Sequence, residues 1–410
     1  MTAPAERRLR VAIVAEFYPS RRDPVLGVWA HRQALAARAA GVELHVLVLN
    51  RLVPPRESFA RGPAAALGAL SERLQEPREQ TLDGVPVTYV PYASPPRGRS
   101  YHAWGAWATP PLALALRRLR ASFPYDLLHA HNAVPAAEAT RRAQRVSAPG
   151  GARPVPLVVS VHGGDVLYTA PRSAAGARAV GSGLGAARLT LANSHGIAEL
   201  ARTYGAGETA VVHLGTDMPA VRRPAPRQGP PMLVTVAHLV ARKRHGDVMR
   251  ALAVLRPRYA ELRYRIIGDG PERTALEGLA RRLEVEDRVE FLGQRSPAEA
   301  LELARACTLF VMPSTEEAFG VAYVEAMAGG VPAIGCRGEP GPEEIAAAGD
   351  GFMLVPPGDI ERLTQRIGEL LSDPHRLREA GQRARATVAA NFTWERCGEQ
   401  TLAAYERALR

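Results

Sequence analysis

The chain has 410 residues and a formal net charge of +11 at pH 7, and a length of this order favours two domains over a single core. Its composition is that of a globular protein, with 46% hydrophobic and 23% charged residues. The three cysteines lie too far apart for a disulfide framework or a cysteine-based zinc site. The charged N-terminus lacks the apolar core of a signal peptide and no apolar stretch is long enough to span a membrane, so we expect a cytoplasmic protein.

The positive charge favours anionic partners such as phosphates or an anionic lipid surface. The basic residues are scattered along the chain, which argues against nucleic-acid binding. Lys243 is the only lysine among the 52 basic residues, and the others are all arginines. An ammonium is a compact point charge that a guanidinium does not replace, so Lys243 is a candidate contact for a phosphate or sugar oxygen.

In the first half of the chain, short runs rich in valine, isoleucine and leucine alternate with helix-like stretches. Strands are predicted at residues 11–15, 44–49, 85–90, 127–130, 157–161, 189–192 and 210–214. This alternation indicates parallel β-α-β units with helices on both faces of a sheet. The sequence GSGLGA at 181–186 matches a dinucleotide fingerprint, but it precedes a predicted strand instead of following one, so no nicotinamide cofactor is expected.

A proline-rich, polar segment at 219–231 predicts a linker. After it, strands are predicted at residues 232–237, 264–267, 289–292, 309–312, 333–335 and 352–355. The sequence therefore predicts an N-terminal domain over 1–218 and a C-terminal domain over 232–392. Both are expected to be Rossmann-like, doubly wound parallel sheets that face each other across a cleft.

A doubly wound fold binds its ligands in the loops that follow the strands. The candidate positions in such loops are Gly27, His131, His162, Lys243, the GDGP sequence at 268–271, and Glu317. We expect the chemistry of the protein to lie at these positions.

Residues 313–332, PSTEEAFGVAYVEAMAGGVP, predict a strand end, a loop, a helix and a glycine-rich stop. Glu317 lies in the loop, and Glu325 lies eight residues on, inside the helix. The free amides near Phe319 and Gly320 open that helix and, with its dipole, favour a diphosphate. Because a carboxylate accepts hydrogen bonds from adjacent hydroxyls, the two glutamates indicate an elongated donor that carries sugar or ribose hydroxyls.

This stretch resembles the E-x7-E signature of the retaining glycosyltransferase family 4, whose members have the GT-B fold. Further sequences resemble motifs of that family in order and spacing over nearly the whole chain: HGGD at 162–165, HLGTD at 213–217, GDGPER at 268–273, FLG at 291–293 and NFTW at 391–394. The resemblance implies that a C-terminal helix in 393–410 crosses back to complete the first domain. It also implies transfer of a hexose, with retention of configuration, from a UDP- or GDP-linked sugar to a glycan or lipid-linked acceptor in cell-surface polysaccharide or glycolipid assembly.

The resemblance also implies residue roles. Glu317 would hold the hydroxyls of the donor sugar, Lys243 the diphosphate and Glu325 the ribose. His162 would lie beside the transferred sugar, and Gly27 would let a loop approach the phosphates closely. The other implied substrate-binding residues are Asp165, His238, Arg242, Gly268, Gln294, Arg295, Phe319 and Gly320, of which Gln294 and Arg295 would line the base pocket.

The chain departs from the family at two positions. Many members carry an arginine where this chain has His238, and a histidine with a reference pKa of about 6.5 is only partly charged at neutral pH. Either Arg242 or Arg244 supplies the second cation, or stabilisation of the leaving group depends more strongly on pH. The second glycine expected after Gly27 is replaced by Val28.

No DxD sequence and no cluster at metal-ligand spacing is present, which predicts catalysis without a metal or other cofactor. His129 and His131 alternate at a strand end, where a structural or acceptor-side role is favoured over a metal pair. Residues 101–123 predict a core helix with a basic end, and the alternative is contact with an anionic membrane at the inner face of the cytoplasmic membrane. Two other functions stay open: a nucleotide-sugar epimerase on the same fold, and a non-catalytic basic surface-binding protein.

Overall fold

The computed structural model describes residues 8–21, 23–54, 56–75, 77–147, 154–220 and 229–410. The chain divides into two compact units, one of Met1–Val212 with Cys397–Arg410 and one of His213–Arg396. The sequence places its domain boundaries at 218 and 393, a few residues from these divisions. Most of the predicted linker, residues 221–228, lies outside the described residues.

The first unit contains an eight-stranded sheet. Its strands are β1 (Arg10–Ala15), β2 (Glu43–Arg51), β3 (Glu79–Leu82), β4 (Val85–Tyr92), β5 (Leu127–His131), β6 (Leu157–Val161), β7 (Leu189–Ala192) and β8 (Thr209–Val211). Their order is β3-β4-β2-β1-β5-β6-β7-β8, and all neighbours except β3 and β4 are parallel. The connections change direction between β1 and β5, so the carboxyl ends of these strands flank the switch point at which doubly wound folds bind ligands.

Helices flank this sheet because its central strands are apolar on both faces and must be covered on both. The helices are α1 (Val28–Ala39), α2 (Arg56–Ala60), α3 (Pro63–Leu74), α4 (Arg97–Ser100), α5 (Trp104–Ser122), α6 (Glu138–Ser147), α7 (Ala174–Leu184) and α8 (His195–Thr203). The long helix α5 buries Trp104, Leu112 and Leu116 and leaves Trp107 and Leu114 exposed. The prediction of a core helix at 101–123 is therefore confirmed.

The edge strand β3 is the one strand of this sheet that the sequence does not predict. It pairs antiparallel with β4 through a tight turn at Asp83 and Gly84, which have φ values of 47° and 77°. Asp-Gly is a strong hairpin signal, because both central residues of such a turn need positive φ. The strand itself, EQTL, is short and polar and lacks the apolar run by which the other strands were identified.

The second unit contains a six-stranded, wholly parallel sheet. Its strands are β9 (Met232–Val236), β10 (Arg263–Ile267), β11 (Val289–Phe291), β12 (Leu309–Val311), β13 (Ala333–Cys336) and β14 (Phe352–Val355). They lie in the order β11-β10-β9-β12-β13-β14, which is the order of a dinucleotide-binding fold, with its switch point between β9 and β12. The strands predicted after the linker are all present, with ends that differ by one residue at most.

The helices of the second unit cover its sheet and contribute to the core. They are α9 (His245–Leu255), α10 (Arg273–Arg282), α11 (Pro297–Arg305), α12 (Val321–Ala328), α13 (Pro340–Ala348), α14 (Ile360–Leu371) and α15 (Pro374–Asn391). Apolar residues of α9 and α14, including Val248, Leu252 and Ile367, are buried in one cluster with Leu233 and Ile266 of the sheet. Across the part of the chain that the structure describes, no helix has the length and apolarity to cross a membrane.

The last helix, α16 (Trp394–Leu409), returns to the first unit, to which residues from Cys397 onward belong. It lies directly against α1, because a Cβ atom built on Gly398 would be 2.3 Å from the carbonyl oxygen of Ala36. The C-terminal segment thus completes the first unit, as the family resemblance implies.

The close approach of α16 to α1 can be tested with Gly398→Val. The added side chain would meet backbone that has no room to move, so we expect a loss of about 1–3 kcal/mol in the free energy of unfolding. Urea denaturation measures the change, and Glu399→Gln, an exposed neighbour on the same helix, is the control. Equal midpoints for Gly398→Val and the wild type would contradict this packing.

Candidate active site

The strongest candidate site lies at the switch point of the second sheet, in the loops that follow β9 and β12. The loop after β9 ends in a short 3-10 turn, Ala241–Lys243, and the loop after β12 carries Glu317. Lys243 Nζ donates a hydrogen bond to Glu317 Oε2, and each of the two side chains is only 11% exposed. The structure therefore brings together two residues that lie 74 positions apart and that the sequence predicts to be catalytic.

This ion pair lies in a nearly dry environment. Burial lowers the pKa of Lys243, the Arg242 guanidinium lowers it further, and the Glu317 carboxylate opposes both. Ser314 Oγ donates to the same Glu317 oxygen at 2.9 Å. Because the ammonium has three N–H groups, Lys243 can bind Glu317 and an anionic ligand together.

The Glu317 loop is held by a second carboxylate, that of Glu339, the last residue of the connection between β13 and α13. Glu339 Oε2 accepts the backbone amide of Glu317 at 2.9 Å, and its carboxylate also accepts the amide of Glu316. Glu316 has a positive φ of 55°, a conformation that a non-glycine residue keeps only when its surroundings hold it. Burial raises the pKa of Glu339, the nearby carboxylates raise it further, and the two amide donors act in the opposite direction.

The helix α12 begins directly after this loop, at Gly320. Gly320 has a φ of 87°, and a Cβ atom there would come within 2.4 Å of the Tyr323 ring. The amide of Tyr323 bonds back to the Gly320 carbonyl at 3.0 Å, which leaves those of Val321 and Ala322 as donors at the positive end of the helix dipole. Phe319 contributes to the site through its backbone, because its ring packs in the core against His213 and Phe392 at centroid distances of 6.0 and 5.6 Å.

Glu325 is the fifth residue of α12, about one turn inside the helix, and is half-buried. Its backbone carbonyl accepts a hydrogen bond from Arg305 Nε at 3.1 Å. Burial lowers the pKa of Arg305, and the Glu325 carboxylate opposes this shift, so the carboxylate and the guanidinium are close enough to interact.

The other predicted residues of this unit lie in the neighbouring loops. Gly268 has a φ of 138°, and a Cβ atom there would be 2.0 Å from the carbonyl oxygen of Ala237, so the loop after β10 packs on the loop after β9. His238 is exposed, as are Gln294 and Arg295 in the loop after β11.

The two arginines beside Lys243 differ in their partners. Arg242 is half-buried and its carbonyl accepts the amide of Thr315 at 2.9 Å, which joins the two loops. Arg244 Nε forms an ion pair of 2.5 Å with Asp247 on α9. Asp247 also pairs with Arg250 Nη1 at 3.2 Å, so one carboxylate is shared by two arginines, and Arg244 stays a candidate for the second cation.

A second group of polar side chains lies at the carboxyl ends of β5 and β6 in the first unit. His131 Nδ1 and His162 Nε2 share a hydrogen bond of 2.9 Å, and their rings stack with centroids 5.2 Å apart. His129 is bound on both ring nitrogens, to Tyr405 and Ser160, each at 2.7 Å. Burial lowers the pKa of His129 to about 3 and that of His162 to about 4, so these rings are neutral at physiological pH.

Two predicted residues of the first unit have structural partners. The oxygens of Asp165 accept the backbone amides of Ala133 at 2.8 Å and Val134 at 3.1 Å, so this carboxylate holds the segment after β5. Burial raises the pKa of Asp165 to about 6. Gly27 has a φ of 67°, and a Cβ atom there would be 2.2 Å from the carbonyl of Phe17, which explains the glycine without a ligand.

Sequence reasoning missed Glu16, the residue that follows β1 at the first switch point. Its Oε2 accepts a hydrogen bond of 2.6 Å from the Tyr101 hydroxyl, and burial raises its pKa to about 7. The available signal was an acidic residue directly after a wholly apolar strand, because the carboxyl end of β1 is a ligand-binding position in this type of fold. No group of three potential metal ligands occurs among the residues that the structure describes.

Comparison with known sequences extends these observations. The family profile described as "Glycosyltransferase Family 4" matches residues 26–219, and the profile "Glycosyl transferases group 1" matches residues 219–387. Together they span nearly all of both units. The chain belongs to glycosyltransferase family 4.

Two curated relatives differ in how much of their length is matched. N-acetyl-alpha-D-glucosaminyl L-malate synthase of Bacillus anthracis is 28% identical over 316 residues, which cover 73% of this chain and 81% of that protein. An exopolysaccharide phosphotransferase of Streptomyces coelicolor is 38% identical over 155 residues, which cover 37% of this chain but 16% of that protein. The match to the phosphotransferase therefore says nothing about whether this chain has that activity.

A solved structure shows the fold. HepE of Anabaena in complex with UDP-glucose matches 97% of this chain and 100% of its own, with a TM-score of 0.69 and 20% sequence identity. The structural neighbours are GT-B glycosyltransferases, and the fold of this glycosyltransferase is GT-B, as the sequence predicts.

The buried histidines make a prediction for the dependence of stability on pH. Because the folded state lowers the pKa of His162 to about 4, its contribution is complete above the unfolded value of about 6.5 and is lost as pH falls toward 4. His162→Asn should reduce the loss of unfolding free energy between pH 7 and pH 5 by about 2 kcal/mol. His375→Asn, at a mostly exposed histidine, is the control that should leave the dependence unchanged. The same loss in His162→Asn and the wild type would show that this ring is not held neutral.

The role of Glu339 as a positioning residue makes a second prediction. Glu339→Ala removes the acceptor of the Glu316 and Glu317 amides, so we expect nucleoside diphosphate release in the transfer reaction to slow by about 10–100-fold. Glu339→Gln keeps an acceptor oxygen and should restore the rate to within about threefold.

Glu343→Ala removes an exposed glutamate of the same segment and is the matched control. If Glu339→Ala and Glu343→Ala turned over at the same rate, the positioning role of Glu339 would be rejected.

Proposed function

We propose that the chain is a retaining, metal-independent hexosyltransferase that uses a nucleoside-diphosphate sugar as donor. The observation that carries this proposal is the buried Lys243–Glu317 pair beside the start of α12, at the switch point of a dinucleotide-type sheet. A buried ammonium, unpaired helix amides and a carboxylate provide, within one loop cluster, contacts for a diphosphate and for sugar hydroxyls.

In this proposal the donor lies along the loops of the second unit. Lys243 and the first amides of α12 bind the diphosphate, Glu317 accepts hydrogen bonds from hydroxyls of the sugar, and Glu325 accepts them from the ribose. The backbone at Gly320 allows close approach, and Gly268 shapes the neighbouring loop. Gln294 and Arg295, both exposed, contact the base.

The leaving diphosphate acquires negative charge as the bond from its oxygen to the anomeric carbon breaks. Lys243 and the α12 dipole stabilise that charge at fixed positions, so no metal ion is required for this step. Arg242 or Arg244, the two neighbours of Lys243 in the chain, supplies the second cation. The acceptor oxygen attacks from the side of the leaving group and its proton passes to a departing phosphate oxygen, which retains the configuration.

The acceptor is proposed to be a hydroxyl of a glycan or lipid-linked molecule, used in cell-surface polysaccharide or glycolipid assembly. His162 of the first unit, which burial keeps neutral, is the proposed hydrogen-bonding partner beside the transferred sugar. Asp165 fixes the backbone after β5 by accepting the Ala133 amide, and Gly27 allows its own backbone to pack against that of Phe17.

A cytoplasmic location with peripheral contact to the inner face of the membrane is proposed for an enzyme with a lipid-linked acceptor. The support is the net charge of +11 and the exposed apolar side chains of Trp107 and Leu114 on α5, about three turns and one turn before the exposed arginines Arg117 and Arg118.

The donor site is tested first by thermal unfolding with UDP, GDP, ADP and CMP. A nucleotide at about 100 times its dissociation constant adds about 2.7 kcal/mol to the free energy of unfolding, which raises the melting temperature by a few degrees. We expect a shift with UDP or GDP that Glu325→Ala abolishes and that Glu302→Ala, an exposed glutamate on α11, preserves. The absence of a shift with every nucleotide would overturn the donor-site assignment and favour a non-catalytic surface-binding protein.

Catalysis is tested by Glu317→Ala, which should keep the nucleotide shift and lose about 100–1,000-fold in turnover. The reason is that Glu317 contacts the sugar, whereas the contacts of Lys243, the α12 amides and Glu325 with the nucleotide remain. Turnover is measured as acceptor-dependent release of nucleoside diphosphate. Donor isomerisation without transfer to any acceptor would support an epimerase instead.

A further inference from the structure

The first unit contains a group of cationic and aromatic side chains that the donor site does not use. Arg51 is the last residue of β2, Tyr92 is the last residue of β4, and Glu16 follows β1. Because β4, β2 and β1 are neighbours in the sheet, their carboxyl ends lie side by side. Arg97, the first residue of α4, and Tyr101 complete this group, which we call the arginine cluster.

The two arginines of the cluster are held by neutral groups. Arg51 Nε donates to Ser94 Oγ at 2.8 Å, and Arg51 Nη2 donates to the carbonyl oxygens of Ser94 and Pro95, each at 3.0 Å. Its guanidinium lies 4.5 Å from the centroid of the Trp104 ring. Within the described ranges, Arg51 has no ion pair with a carboxylate, and its Nη1 has no hydrogen-bond partner.

Arg97 is held in place by aromatic rings. Its guanidinium carbon lies 4.3 Å from the centroid of Tyr101, 5.6 Å from that of Phe17 and 5.9 Å from that of Trp104. Aromatic faces orient a guanidinium and leave its N–H edge open to a further acceptor. Arg97 is exposed, and it too lacks an ion pair in the portion of the chain described.

The guanidiniums of Arg51 and Arg97 form no ion pair with the carboxyl groups around them in the described part of the chain. Burial lowers the pKa of Arg51, Arg73 and Arg97 lower it further, and Tyr92 and Glu16 oppose this shift. Glu16 is bound to Tyr101, and the Asp165 carboxylate, which acts on both Glu16 and Tyr101, is bound to the backbone amides of Ala133 and Val134. Two guanidiniums held without an ion pair are stabilised when an anion from outside joins them.

We propose that Arg51 and Arg97 bind an anionic group of the acceptor, a phosphate or a carboxylate, and so select acidic acceptors over neutral ones. A guanidinium edge matches two oxygens of either group, which gives direction as well as charge. The rings of Tyr101 and Trp104 pack against the two guanidiniums and hold them in place for that anion. This proposal rests on the function proposed above, since it defines the acceptor class of that enzyme.

The experiment compares matched neutral and acidic sugars as ligands of the full-length chain. Glucose 6-phosphate and glucuronate are titrated calorimetrically against glucose, in a buffer without phosphate. We expect the acidic sugars to bind at least tenfold more tightly than glucose. Arg51→Gln and Arg97→Gln should each weaken the acidic sugars at least tenfold, and Arg97→Lys should lose less than Arg97→Gln because it keeps the charge.

Two controls separate this proposal from others. Arg145→Gln removes an exposed arginine of α6 in the same unit and should bind the acidic sugars as the wild type does. Sedimentation with vesicles of phosphatidylinositol, compared with vesicles of phosphatidylcholine, shows whether the anion is a lipid phosphate. If the wild type binds phosphatidylinositol vesicles but no soluble acidic sugar, and Arg97→Gln loses the vesicle binding, the site is assigned to a lipid-linked acceptor.

The nucleotide shift is measured on the same variants, so that failure of the two proposals can be told apart. Suppose that all variants keep the normal shift with UDP or GDP. The proposal for the arginine cluster is then overturned, and the proposed transferase function is not, if acidic and neutral sugars bind equally well. The same conclusion follows if Arg51→Gln and Arg97→Gln bind the acidic sugars as tightly as the wild type. Acidic binding in a protein that binds no nucleotide would overturn the acceptor assignment together with the proposed function.

Discussion

The buried pair of Lys243 and Glu317 is the interaction on which the arrangement of the second unit depends. Two charges removed from water cost several kcal/mol each, and the cost is offset only when their partners are fixed. Here Ser314 donates to the carboxylate, and Glu339 holds the backbone of the Glu317 loop. The loops after β9, β12 and β13 therefore form one connected unit, with the free amides of α12 directly beside it.

The first unit buries polar side chains in neutral form, in contrast with the charged pair of the second unit. Its buried histidines stay neutral, because burial lowers the pKa of His129 and His162 far enough that charge does not develop at physiological pH. Neutral imidazoles each donate and accept one hydrogen bond, so a row of them orients the strand ends without a charge penalty. The two units of this family 4 glycosyltransferase thus differ in the polar groups at their strand ends: the second has the buried Lys243–Glu317 pair, and the first has neutral histidines.

The sequence is sufficient for most of the fold, and it identifies Lys243 and Glu317, which the structure brings together. Strands buried on both faces read as apolar runs, and a loop that binds phosphate needs glycine, a cation and a helix start close together in sequence. The strand β3 lacks such a run and was therefore not predicted. Asp165 lies in the same motif as His162 and was predicted to bind substrate, but its carboxylate accepts the backbone amide of Ala133. Glu16, Arg51 and Arg97 come together only when β1, β2 and α4 are placed side by side, so no local pattern reveals them.

The single lysine has a consequence for the chemical reactivity of the protein. Apart from the α-amino group, Nζ of Lys243 is the only amine that the whole chain carries, and it lies in the proposed donor site. Because burial lowers its pKa, a larger fraction of this amine is unprotonated, and therefore nucleophilic, than of an exposed lysine at the same pH. The protein thus has one side-chain amine with which a Schiff-base-forming reagent can react, and its reactivity reports on whether Glu317 and a phosphate hold the proton in place.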